Sequence, residues 1–156
     1  MDLSVRMLAD ELSSRLKETY ISHLDFCKYP QVALIGQNRF SARRIYVAEA
    51  ELLSPEPEFE GPLILITTKR PPKSYFVAEC SIIVCEGSLE DIFNDVITVQ
   101  LRFDDYENKL QKDLLEGKGI QHFIDTCTNT LETTVVLLDS TSFLATFGLR
   151  SIPMIW

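Results

Sequence analysis

The sequence has little that would carry the chain into a bilayer or onto nucleic acid. No apolar run approaches the ~20 residues that span a membrane. The N-terminus, MDLSVRMLADELSSRLKE, is charged and amphipathic and lacks the uninterrupted apolar stretch of a signal peptide. Positive charge is scarce, with 15 Lys and Arg against 23 Asp and Glu, a net charge of −8. Polyanions are bound mainly by Lys and Arg pairing with phosphates, so this balance argues against direct contact with nucleic acid or an anionic membrane surface.

Cysteine and histidine are also thin. Cys27, Cys80, Cys85 and Cys127 show no CxxC spacing, and His23 and His122 stand far apart. The expectation is four reduced, mostly buried thiols in a cytoplasmic protein, with no metal and no cofactor. Motifs of established chemistry are missing: there is no GxSxG, HExxH, P-loop or GxGxxG. Gly117-Lys118-Gly119 follows a helical stretch rather than a strand, so it reads as an inter-helix break. Two histidines remain as candidate bases. His23 lies two residues from Asp25, and His122 lies near Gln121 and Asp125. Structural or solvated positions suit both better than catalysis, and the chain is read as no enzyme.

What the sequence does have is patterned. Leu3, Met7 or Leu8, Leu12 and Leu16 recur at three- and four-residue steps and predict a helix over residues 3–17. From 20 to 86 come short β-branched and aromatic runs: 20–26, 32–35, 44–53, 63–68, 75–77 and 81–85. Each is bounded by polar or proline-rich breaks and reads as a strand or short buried element. LILITT is apolar on both faces and predicts a central strand. RIYVAEAEL alternates and reads as a half-exposed one. SPEPEFEGP (54–62) and KRPPK (69–73) are loops.

Ser88 then opens the strongest signal. It is followed by Glu90 and Asp91, which suit a helix N-terminus, and no proline or glycine interrupts the chain until Gly117. Leu89, Ile92, Val96, Val99, Phe103, Tyr106 and Leu110 follow alternating steps of three and four, a heptad seam. Phe93, Ile97 and Leu101 form a second stripe beside it. Two readings stay open: both stripes pack within the chain, or Ile92, Val96, Val99, Phe103, Tyr106 and Leu110 form a homodimer interface. Asp113 interrupts the seam, so a partner contact should fade there. A shorter helix over 119–131 follows. A hairpin comes next, with strands 133–138 and 143–147 around a turn at Asp139-Ser140-Thr141-Ser142. The apolar tail Ile152, Met154, Ile155 and Trp156 has nothing after it to cover it, so it either folds back or marks the edge of a longer chain.

Two basic groups interrupt the acidic sequence: Arg39, Arg43 and Arg44, and Lys69, Arg70 and Lys73. Both lie in predicted turns. Guanidinium forks suit carboxylates and phosphates. If the turns converge at one end of the sheet, they form a site for a small anionic metabolite; otherwise they are solvated surface.

The order of elements resembles a family. LSVRMLADEL resembles the first helix of the purine-catabolism-regulator-like (PucR-like) bacterial transcription regulators. VALIGQNRFSARRIYVAEAELL and GPLILITT are similar to the strands that follow in them. The stretch from IFNDVITVQLRFDDYENKLQKDLLEGKG to STSFLATFG resembles their linker helices and the opening hairpin of a GAF-like unit. The resemblance implies a sensory and dimerisation region of a cytoplasmic helix-turn-helix regulator, lacking its DNA-binding domain. The expected architecture is α/β (α+β): an N-terminal domain over 1–87 with a mixed sheet covered by helices, linker helices over 88–131, and a GAF-like hairpin over 132–156. A ligand-free protein-interaction domain and a small-molecule enzyme of unrecognised type are the alternatives.

Overall fold

A computed structural model describes residues 1–132, 134–138 and 144–148, the last segment as backbone. It has the expected α/β architecture, a mixed five-stranded sheet with three helices. The chain divides into two compact units, 1–102 and 103–156, and the division falls inside the long helix rather than at either of the expected boundaries.

The first unit opens with helix α1, Val5–Glu11, capped by the Ser4 hydroxyl, which accepts from the Met7 amide. It is half the expected length. Leu16, the last member of the helical spacing, belongs instead to strand β1, Leu16–Tyr20, which pairs antiparallel with β7, Cys80–Cys85. Leucines three and four apart satisfy a helix only while the backbone continues as one, and here tertiary pairing with a buried strand prevails. Residues 21–26 form no strand. The remaining strands of the sheet are β2 (Lys28–Val32), β4 (Arg44–Ala48) and β6 (Leu63–Thr67), all parallel to β7 in the order β1-β7-β6-β4-β2. Connections of about a dozen residues join the parallel strands, as parallel pairing requires. They carry the two-residue strands β3 (Arg39–Phe40) and β5 (Glu58–Phe59), which pair with each other, and short 3-10 turns rather than α-helices. Tyr75 of the 75–77 run lies in a single 3-10 turn, Lys73–Tyr75.

The parallel strands are buried on both faces. On one face Tyr46, Leu63, Leu65, Cys80 and Ile82 pack with Phe40 and Tyr75. Phe40, Phe59 and Tyr75 meet at centroid separations of 5.7–5.8 Å, Tyr75 edge-to-face with both phenylalanines. On the other face Ile45, Val47, Ile64, Ile66 and Ile83 are equally covered. Strand β4 is therefore central, not half-exposed: with β2 and β6 beside it, Ile45 through Ala48 are all buried. Helix α1 contacts β7. Helix α2, Leu89–Leu115, starts as expected, with the Ser88 hydroxyl accepting from the Asp91 amide at 3.1 Å. Its first part is tied to the unit by Asp95 to Arg15 at 2.6 Å and by Arg102 to Glu11.

In the second unit, α2 ends at Leu115 and Gly117 turns the chain, its φ of +64° suiting a residue without a β-carbon. Helix α3, Ile120–Leu131, follows, then strands β8 (Val135–Leu138) and β9 (Leu144–Gly148), paired antiparallel as the expected hairpin. The turn at 139–142 and the tail residues Ile152 to Trp156 lie outside the described residues. No described helix is long and apolar enough to cross a membrane.

Candidate functional site

The two basic groups do not converge. Arg44 is the first residue of β4, whereas Lys69 and Arg70 follow the last residue of β6. The two strands run parallel in the register Ile45 to Ile64 and Ala48 to Thr67. The groups therefore lie at opposite ends of the sheet, separated by a strand of about 13 Å at ~3.3 Å per residue. Most of these side chains are also engaged with carboxylates. Lys69 binds Glu51 at 2.5 Å, which raises the Lys69 pKa and lowers that of Glu51. Arg70 faces Glu18 and lies over the Phe76 ring, and Arg39 faces Glu58 and Glu60. Lys73 is exposed.

Arg43 and Arg44 do contribute to a site. With Asp2, Lys28, Tyr29 and Ala42 they line a cleft of about 460 Å³ at the N-terminal ends of β2 and β4. Three cationic side chains and one carboxylate face it. The positions follow from the strands: Lys28 opens β2, Arg44 opens β4, and the two are register partners. Tyr29 lies at an irregularity in that pairing, with φ +60°, and Arg43 has φ +58°. Left-handed backbone costs a bulky residue of order 1–3 kcal/mol and concentrates at functional sites. Among the described residues the only other non-glycine with positive φ is Glu132.

The side chains are held in definite roles. Arg43 donates from Nη2 to Asp2 at 2.8 Å and from Nε to the Phe26 carbonyl at 3.4 Å. The Lys28 ammonium and Arg44 guanidinium lie 5.8 and 5.6 Å from the Tyr29 ring centroid, within cation–π range. Arg44 reaches the Gln31 side-chain oxygen at 3.4 Å and has no carboxylate partner among the described residues. Such a wall carries the donors that an oxyanion would need. The sequence marked Arg43 and Arg44 as basic. Asp2, Lys28 and Tyr29 carried no signal, because only the folded register brings them there.

The other candidates resolve into structural roles. His23 is half-buried, with its side chain largely covered, and its Nε2 donates to the Leu63 carbonyl at 2.7 Å, fastening the 21–26 segment to β6. Its Nδ1 is 3.9 Å from Asp25 and has no hydrogen-bond partner. His122 pairs with Asp113 at 2.9 Å rather than with Asp125, which takes Gln121. Lys118, between the two glycines, binds the other Asp113 oxygen at 2.9 Å. Asp113 is 4% exposed, and Lys118 first, then His122, hold its carboxyl below the usual range. The residue that interrupts the seam thus anchors the turn between α2 and α3. A second hollow, also about 460 Å³, lies in this unit among Leu114, Ile120, Phe123, Ile124 and Leu137. It is apolar, and its one carboxylate, Asp113, is already satisfied.

All four cysteines are buried and unpaired. Burial pushes the Cys27 and Cys80 thiols up to about 12 and Cys85 to about 11. The seam residues Ile92, Val96, Val99, Phe103 and Tyr106 are buried in the single chain, and Leu110 is half-buried. The heptad spacing is thus satisfied without a partner over most of its length.

No protein-family model matches the sequence, no curated protein resembles it significantly, and no solved structure matches its fold.

Proposed function

We propose that the chain is a non-catalytic sensing module that binds a small anionic metabolite in the cleft of Lys28, Tyr29, Arg43 and Arg44. One observation carries the reading: Arg44, without a carboxylate partner, faces a cleft whose wall holds two further cations. Guanidinium groups held in place accept carboxylate or phosphate in fork geometry with little further ordering. The cleft has one carboxylate, already paired with Arg43, and no histidine. That composition suits binding better than proton transfer. The PucR-like resemblance fits the same role, an input region whose DNA contacts are made by a separate helix-turn-helix segment. An acidic chain of net charge −8 agrees with that division of labour.

The test is calorimetric titration with inorganic phosphate and citrate. Saturable binding that Arg44→Ala abolishes supports the site. Equal binding by Arg44→Ala, or none by the parent chain, refutes it.

A protein-interaction role is the second reading. Leu34 and Ile35, which follow β2, are more than 70% exposed, and Gly36 bonds to the carbonyl of the exposed Leu52. Three apolar side chains therefore share one end of the sheet, remote from the cleft.

A further inference from the structure

Asp2 is the one acidic residue on the wall of the basic cleft, and it is placed where an anionic ligand would bind. Its carboxylate accepts from the Arg43 guanidinium at 2.8 Å, the contact a ligand's oxyanion would make. The pair is not deeply buried, with side chains 65% and 36% exposed. Exposed pairs of this kind contribute about 0.2–1 kcal/mol, so a ligand can displace it.

The residues on either side of Asp2 connect it to the rest of the unit. Leu3 exchanges two backbone hydrogen bonds with Cys27, both 2.8 Å, and is fully buried. Met1 accepts at its carbonyl from the Gln100 side-chain amide of α2 at 2.7 Å. Gln100 is 6% exposed, so that contact lies inside the unit. Leu3 is therefore fixed in place, with Asp2 and Met1 adjoining it. Asp2 lines the cleft and Met1 touches the long helix.

We propose that Asp2 is an internal competitor for the cleft, holding on Arg43 the place of the ligand's carboxylate or phosphate. When the ligand displaces it, the Met1 contact with Gln100 changes, and occupancy is passed to α2. This rests on the anion-binding reading above and adds to it how the site is regulated and how binding is reported. A ligand that merely added charge to the cleft would leave Gln100 unchanged.

The experiment uses the 156-residue chain, any purification tag being placed at the C-terminus. Parent, Asp2→Asn and Glu56→Gln chains are titrated with inorganic phosphate by calorimetry, and the Gln100 side-chain amide is followed by nitrogen-15 NMR. Glu56 is exposed in the 54–62 loop and controls for net charge. The expected result is phosphate binding about 1.4- to fivefold tighter in Asp2→Asn, the factor corresponding to the pair it must break. Glu56→Gln should bind as the parent does. Phosphate should shift the Gln100 amide resonances of the parent, and Asp2→Asn should show part of that shift without phosphate. Parent binding with no gain in Asp2→Asn, an equal gain in Glu56→Gln, or an unmoved Gln100 amide overturns the competitor and leaves the anion site standing. Absence of phosphate binding in all three chains overturns the anion site and the competitor together.

Discussion

A side chain's chemistry here depends mainly on what surrounds it. The four cysteines illustrate this. Thiolate is the reactive form, and burial disfavours it, pushing Cys27 and Cys80 to about 12. An aromatic disulfide reagent at neutral pH should therefore find almost no fast-reacting thiol in the native chain and four after denaturation; one or more fast thiols in the native state would contradict the burial. Arg43 gives a second test. Its backbone has φ +58°, a conformation glycine adopts without strain. Arg43→Gly should thus unfold in urea within about 1 kcal/mol of the parent, relief of strain offsetting loss of the surface pair. The same variant should lose phosphate binding, separating the residue's function from its contribution to stability. For Asp113 the variable is pH. Its carboxyl is held below its ordinary value of 3.8 by Lys118 and His122. A depressed carboxylate stabilises the fold above its unfolded pKa, and that stability is lost as pH falls through the folded one. Melting followed against pH should show the second unit losing stability as pH drops below 3.8, with Asp113→Asn flattening that limb.

The elements differ in how plainly the sequence announced them. Helix α2 was legible because apolar residues repeat one spacing from Leu89 to Leu110, between a capping serine and a stopping glycine. Strands β6 and β7 were legible because short runs of β-branched residues bounded by proline or glycine have few other uses. Helix α1 was overextended because Leu12 and Leu16 fit a helical step, while the partner that claims Leu16 is sixty-nine residues away, at Cys85. Strand β4 reads as half-exposed because RIYVAEAEL alternates apolar and polar residues, whereas its burial comes from neighbours on both sides. The seam was seen correctly as a stripe, but periodicity alone does not say whether the covering surface belongs to the same chain. Val96, fully buried, distinguishes these cases. A charge there should cost roughly 3 kcal/mol or more if the seam is core. Val96→Asp is expected to unfold in circular dichroism rather than to yield a folded monomer from a dimer by light scattering.

At the scale of the whole chain, the cleft was only half legible for a topological reason. Arg43 and Arg44 are adjacent in sequence, but Lys28 and Tyr29 join them through β2 pairing with β4, and Asp2 through the bridge between Leu3 and Cys27. Parallel pairing also sends Lys69, Arg70 and Lys73 to the far end of the sheet, and no feature of composition reveals that direction. Every residue of the cleft, and the Met1–Gln100 contact, falls within the first unit. So do the two-faced sheet and the buried part of the seam through Val99. If that unit carries its own core, residues 1–102 should fold alone, as a compact domain of this size commonly does. The fragment should give a cooperative urea transition and bind inorganic phosphate with the affinity of the full chain. A fragment that folds but no longer binds would place part of the recognition beyond residue 102, and one that stays unfolded would mean the first core depends on residues that follow it.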